Sequence, residues 1–296
     1  NYLYLNYDKF QYKNWNKIEW FNNSTLIKTV SNQSKLEIGV LTNVGSSDSS
    51  FYYPEKMFMD SVGTIYVLDY GNLRVQKWLK GAKSGITVAG GNGRGSAPNQ
   101  FNEPSGIYVD NVGNIYVADF YNNRVQKWAP GATSGTTVAG GDGKGSAANQ
   151  LDTPTGVCLD AAGNIYVADV MNHRIQKWAP GATSGTTVAG GNGQGYAANQ
   201  LSSPTDVFID GTGNMYVTDL GSYGVRKWAP DANSAKQVAG GSGVGSSGFQ
   251  LNTPLSNTIF STGWKELGPT SPGQITGHYA FGMGRIVSFY VDPSNP

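Results

Sequence analysis

The chain is poor in the side chains that carry most protein chemistry. It has one cysteine and two histidines in 296 residues, and only 14% of its residues are charged. A single cysteine excludes an internal disulfide framework. Its setting, Val157-Cys158-Leu159, reads as a small buried side chain in a strand. The 21 basic residues against 20 acidic ones leave a net charge of +1, which gives nucleic acid or an anionic membrane nothing to grip. No apolar run is long enough to span a bilayer, so membrane insertion is not expected. The chain has no initiator Met and no signal peptide, and residue 1 is Asn, so a processed chain or a segment of a longer one is expected. No His or Cys cluster has metal-ligand spacing, and there is no Gly-x-Ser-x-Gly elbow. No metal, no cofactor and no catalytic activity are therefore expected. Low charge with 41 Gly and 17 Tyr suits an extracellular or cell-surface β protein.

What the chain has is a repeat with a period of 50 residues. Pro54, Pro104, Pro154, Pro204 and Pro254 share one register, and so do Asp60, Asp110, Asp160 and Asp210. The same holds for Asp69, Asp119, Asp169 and Asp219, and for Trp78, Trp128, Trp178 and Trp228. A fixed period of this length marks one supersecondary unit copied and stacked. In residues 104 to 150, four short strands are expected: Gly106 to Asp110, Ile115 to Asp119, Arg124 to Trp128 and Thr136 to Gly140. The Asn111-Val112-Gly113-Asn114 turn joins the first two, with Gly supplying positive φ. Gly-rich segments such as 141 to 146 link one repeat to the next. With no helical period anywhere, the expectation is an all-β fold: a β-propeller of four-stranded antiparallel blades.

Gly-Ile-Tyr-Val-Asp, then Gly-Asn-Ile-Tyr-Val-Ala-Asp, then Asn-Asn-Arg-Val-Gln-Lys-Trp resembles the NHL repeat over about residues 54 to 254. That resemblance implies a propeller of five or six blades. It also implies a secreted bacterial type, from Ala-Pro-Gly-Ala-Thr-Ser-Gly-Thr-Thr-Val-Ala-Gly-Gly. Lyases with this repeat use several His ligands around a central metal, and two histidines are too few for that.

The propeller is expected to span residues 1–260. Residues 1–50 form a degenerate blade, residues 51–250 the full repeats, and residues 254–260 a closing strand. Trp20 to Val30 keeps the spacing of Trp128 to Val138, and Tyr2 to Leu5 resembles a second strand. This blade lacks a first strand, which residues 254–260 would supply, closing a ring of five. Six blades follow if residues 255–296 build another or upstream sequence is missing. Residues 261–296 form a C-terminal extension. Trp264 to Pro269 and Gly284 to Pro296 resemble the opening of a sialidase-like propeller. Its strand, Ile286 to Val291, is suited to pairing with a neighbouring subunit.

The recurring pairs Asp69 with Arg74, Asp119 with Arg124 and Asp169 with Arg174 read as ion pairs fixing a turn rather than as acid–base machinery, since a catalytic set would occur once. The fourth repeat departs, with Gly224 at the Arg position and Arg226 two residues on. The four Trp in register read as blade packing rather than sugar platforms. The Gly-rich loop at 90 to 96 has no following helix and so reads as a link, not a phosphate cradle. Binding is better sought where the repeats differ. The loops between second and third strands carry Tyr70, Phe120, Tyr121, Met171, His173 and Tyr223, and the links carry Arg94, Lys144 and Tyr196. In a propeller both sets emerge on one face, which is the candidate ligand face for other protein subunits or extracellular glycans. Candidate glycosylation positions are Asn22, Asn23 and Asn32 in Asn-x-Ser/Thr sequons, and Ser61 in Asp-Ser-Val. The expected function is a non-catalytic extracellular structural or interaction module. It is suited to head-to-tail assembly, with a glycan- or protein-binding domain or a glycan-active enzyme as the alternative.

Overall fold

The computed structural model describes residues 45–241, together with three N-terminal strands. Those strands are β1 (Tyr2–Leu5), β2 (Ile18–Asn22) and β3 (Thr25–Val30), paired antiparallel in the order β1-β2-β3. Three strands are described in residues 1–50, where a full repeat has four. Trp20 lies inside β2, whereas Trp128 ends its strand.

The rest is four four-stranded antiparallel sheets, one per repeat. The first blade comprises β4 (Pro54–Met59), β5 (Ile65–Asp69), β6 (Arg74–Trp78) and β7 (Ile86–Gly90). The second comprises β8 (Pro104–Val109), β9 (Ile115–Asp119), β10 (Arg124–Trp128) and β11 (Thr136–Gly140). The third comprises β12 (Pro154–Leu159), β13 (Ile165–Asp169), β14 (Arg174–Trp178) and β15 (Thr186–Gly190). The fourth comprises β16 (Pro204–Ile209), β17 (Met215–Asp219), β18 (Gly224–Trp228) and β19 (Lys236–Gly240). Four blades are described. The proposed closing strand 254–260 and the whole extension 261–296 lie outside the described residues.

The second to fourth strands of the repeat fall where β-branched and aromatic composition places them. The first strand does not. It begins at Pro104 rather than Gly106 and ends before Asp110. Proline cannot donate to a ladder, but at the first residue of a strand none is required. Pro104 faces Asp119 across a bulge that ends at Gly106. Asp110 leaves the strand because its carboxylate caps the turn, accepting from the backbone N–H of Val112 at 3.1 Å and of Asn114 at 2.8 Å. Gly113, at φ +86°, makes that turn available.

The core lies between blades. Leu68, Val75 and Phe101 pack with Val117 and Trp128, joining the first blade to the second. Val125 and Leu151 pack with Val167 and Trp178, and Ile175 and Leu201 with Val217 and Trp228, so the same contact recurs twice more. Each of the four repeat tryptophans is at most 3% exposed. Burying each contributes about 1.5–3 kcal/mol or more. On the other side of the third strand, Lys77, Lys127, Lys177 and Lys227 lie over Tyr66, Tyr116, Tyr166 and Tyr216 at 5.4–5.6 Å. Cross-strand register (Tyr116 opposite Lys127) produces these cation–π pairs, each worth about 0.5–1 kcal/mol.

The first strands approach one another most closely at the centre. A Cβ on Gly106 would overlap the carbonyl of Thr155, and one on Gly156 would overlap Asp206. The equivalent positions in the outermost described blades carry Lys56 and Asp206, and these two meet. Lys56 Nζ lies 3.3 Å from Asp206 Oδ2, linking β4 to β16 across 150 residues.

Candidate functional site

The turn between second and third strands is a short 3-10 segment: Tyr70–Asn72, Phe120–Asn122 and Val170–Asn172. It is fastened to the Gly-rich link by the residues the repeat shares. Arg74 Nε donates to Asp69 at 2.8 Å, Arg124 to Asp119 at 2.9 Å and Arg174 to Asp169 at 2.7 Å. The rest of the Arg124 guanidinium donates to the carbonyls of Ser96, Ala97 and Gln100. Asp119 also accepts from the backbone N–H of Asn102 and from Asn122, whose amide donates in turn to the Gly95 carbonyl. All four carboxylates (Asp69, Asp119, Asp169, Asp219) are fully buried. Burial pushes these carboxyls up from the ordinary Asp range, further than the surrounding donors pull them down. Such groups stabilise the fold below the ordinary Asp pKa and lose that contribution as pH rises through their raised values.

Asp160 and Asp210, in the turns of the third and fourth blades, behave oppositely. Burial pushes Asp160 and Asp210 up too, but hydrogen bonds from Asn164 and Asn214 and from nearby backbone N–H groups outweigh it, and both pKa values are lowered. Their contribution is present above the ordinary Asp pKa and is lost as pH falls through the lowered value. The wild-type stability advantage over Asp160→Asn should therefore shrink between neutral pH and about pH 3, measured by urea denaturation across that range.

The fourth blade solves the fastening differently. Gly224 has no side chain to offer, and Arg226 takes over from two residues further along β18. It donates to the carbonyls of Ala197 at 2.7 Å, Gln200 at 2.8 Å and Tyr196 at 2.9 Å, with Nε 3.4 Å from Asp219. Arg226 occupies the register of Gln76, Gln126 and Gln176, all buried. Gln126 accepts from the Trp128 indole at 3.2 Å and donates to the Pro98 carbonyl at 3.3 Å. Neither amide atom of Gln176 has a hydrogen-bond partner. Gln126→Leu should therefore cost about 1–3 kcal/mol, while Gln176→Leu should be neutral or stabilising; paired chemical denaturation curves compare them.

The variable residues divide into groups. Arg94 pairs with Glu103 at 2.8 Å, and Glu103 also accepts from Tyr70, with Tyr121 close enough to influence Arg94. Phe120 and Tyr121 stack edge to face at 4.9 Å, and Tyr121 is 54% exposed. Lys144 reaches Asp152 at 3.4 Å. Met171 is 56% exposed. His173 holds a left-handed backbone, and its Nδ1 accepts from the Ser203 N–H at 3.1 Å, the part Asn123 plays toward Thr153 at 3.0 Å. Tyr223 is half-buried beside Gly224. Tyr196 lines a cleft with Arg226, which donates to its carbonyl at 2.9 Å. Ser61 is exposed in a turn. The side chain of Asn22, and all of Asn23 and Asn32, lie outside the described residues. Cys158 is buried and burial pushes its thiol up, which removes it as a nucleophile. Among the described residues, no group of three or more His, Cys, Asp or Glu is placed to hold a metal, and no helix is long and apolar enough to cross a membrane.

Stacked four-stranded blades with interblade aromatic cores define a β-propeller. Two stretches of the chain, residues 101–128 and 151–178, match the NHL repeat family model. Solved structures similar to it include a streptogramin B lyase, at 13% identity and TM-score 0.44 over 66% of this chain and 56% of that one. Another is a catalytically inactive virginiamycin B lyase from Staphylococcus aureus with quinupristin, at 12% identity and TM-score 0.46, covering 75% and 62%. The chain thus spans under two thirds of the length of those structures. No curated protein matches the sequence.

Proposed function

We propose that this chain is a non-catalytic interaction module, presenting the loop end of its blades to protein partners. One observation carries this reading. The residues common to all repeats are spent on packing and fastening, while Tyr121 and Met171, two of the residues that vary, stand more than half exposed on the loops so fastened. Conserved architecture with variable exposed loops is how scaffolds carry binding. NHL propellers commonly mediate protein–protein contacts. An extracellular or cell-surface setting belongs to the same reading, supported by the low charge. Its finer form is head-to-tail assembly through the terminal strands, in which heterologous contacts that do not close build fibres. That form draws on residues 254–260 and 286–291, outside the described residues.

Photo-crosslinking on the native source material tests the module. A crosslinker at Tyr121 or Met171 should trap a protein partner, and one at Val62 or Val112, in turns at the opposite end, should not. Equal yields from both ends would sink the reading. Negative-stain electron microscopy of the same material separates its forms: discrete rings favour a binding module, and regular fibres favour assembly.

A further inference from the structure

The fourth blade differs from the other three at scattered sequence positions, and the fold gathers those differences into one cleft. A cavity of about 200 Å³ is lined by Tyr196, Ala198, Arg226, Ala235 and Gln237. Where the other blades have Ser46, Ser96 and Ser146, this one has Tyr196; where they have Gln76, Gln126 and Gln176, it has Arg226. Ala235 replaces Gly85, Gly135 and Gly185, and Gln237 replaces Thr87, Thr137 and Thr187. Arg226 and Gln237 are cross-strand partners, so both face the 196–200 segment. In the third blade the same place is filled differently, with Gly185 against the Trp178 ring and the Gln176 amide.

The hydrogen-bonding capacity left in the cleft is specific. A guanidinium has five N–H groups. Arg226 Nη1 uses two on Ala197 and Gln200 and Nη2 uses one on Tyr196, which leaves one Nη2 donor, while the buried Nε lies 3.4 Å from Asp219 without a hydrogen bond to it. Asp219 offsets the charge. Gln237 Nε2 is held by the Ala239 carbonyl at 2.7 Å, which leaves its carbonyl oxygen as an acceptor. Tyr196, 68% exposed, adds a flat apolar ring with a hydroxyl, and two alanines supply a small apolar floor. The cleft is therefore neutral, with one donor left on Arg226 Nη2, one on Gln237 Nε2 and an acceptor at Gln237 Oε1, beside an aromatic face. Its volume lies below the roughly 300–1,000 Å³ of sites for drug-sized ligands.

We propose that this cleft binds one neutral pyranose ring. The ring's C–H face would lie on Tyr196, and its hydroxyls would accept from Arg226 and donate to Gln237. A hydroxyl both donates and accepts, which suits this mixed pair, whereas an anion would meet the unpaired Gln237 oxygen. The site is built on the Gly-rich link of the fourth blade, and its residues are not those on which the interaction reading rests.

Saturation-transfer NMR on the full chain, with the methyl glycosides of glucose, galactose and mannose, tests it. Transfer to the ring C–H protons of at least one glycoside is expected, with a Kd in the range of about 1 mM. Tyr196→Ser and Gln237→Thr each install the residue the other three blades carry, so both should fold, as thermal melts would check. Each should weaken binding about tenfold or more, while Val112→Ala, in an exposed turn at the opposite end, should leave it unchanged. A trisaccharide of the best ring separates the sources: tighter binding than the glycoside indicates a glycan chain, and equal or weaker binding a free sugar, with either supporting the site. Absence of transfer from all three glycosides, or transfer undiminished in Tyr196→Ser and Gln237→Thr, would overturn the proposal.

Discussion

Arg226→Gln should cost about 3–5 kcal/mol, although it installs the residue found at that place in three other blades. Asp219 is fully buried, and its remaining side-chain bond to the backbone is from the Ser202 N–H at 2.7 Å. Without Arg226 its charge has no counterpart, and three link carbonyls lose their donor at once. Gly224→Arg alone should not strengthen the blade. A Cβ there overlaps the Gln237 amide, and a second guanidinium would compete for carbonyls already used. The triple variant Gly224→Arg, Arg226→Gln, Gln237→Thr restores the Arg, Gln and Thr of the second blade at these three positions and should recover part of the lost stability, with Ala235 still crowding the Gln place that Gly135 leaves open. Coupling of this kind is expected among residues that share partners. Urea denaturation of the single and triple variants measures it. If the single variants and the triple variant lose stability additively, Arg226 is not a relocated version of Arg124.

That relocation shows where sequence reasoning reaches and where it stops. The Asp119–Arg124 pair is legible because the two residues flank one turn and recur at a fixed period. Trp128 is legible because a large apolar residue in strict register has to be buried somewhere. The sequence shows Gly224 and Arg226 as a departure, but not that the displaced guanidinium reaches the same carbonyls. That depends on β18 pairing and on a link some 26–30 residues back. Asn72, Asn122 and Asn172 were equally periodic, yet their role in tying Asp to the Gly-rich link needs the link's position in space. The Lys127–Tyr116 stack follows from cross-strand register, which a period alone does not define. The start of the first strand at Pro104 is hidden because proline argues against a strand until its edge position is known. Tyr196 joined the loop residues on sequence because it varies as they do. Only folding sets it beside Arg226 and Gln237.

Lys56→Met should cost about 3 kcal/mol, the largest effect expected at the centre of the array. Lys56 and Asp206 are 7% and 15% exposed in their side chains, and they lie in the outermost described blades. Methionine keeps most of the apolar stem but withdraws the ammonium. Asp206 is then left with the backbone N–H of Val207, at 3.0 Å, against its charge. Asp206→Asn should cost less, because an amide oxygen can still accept from Lys56. The double variant Lys56→Met, Asp206→Leu removes both charges and should recover much of the loss, as buried pairs replaced by apolar residues often do. The unfolding profile carries a second signal. In repeat architectures stability is a sum of local blade terms and neighbour interfaces. This contact instead joins two blades that are not neighbours in sequence, whereas Gly106 and Gly156 bring together the first strands of adjacent blades. Weakening it should therefore broaden the unfolding transition as well as shift it, because the first and fourth blades become free to separate before the array melts. A sharp transition, merely displaced, would mean that interblade packing around Trp128 and Trp178 suffices to hold the blades together without the central ion pair.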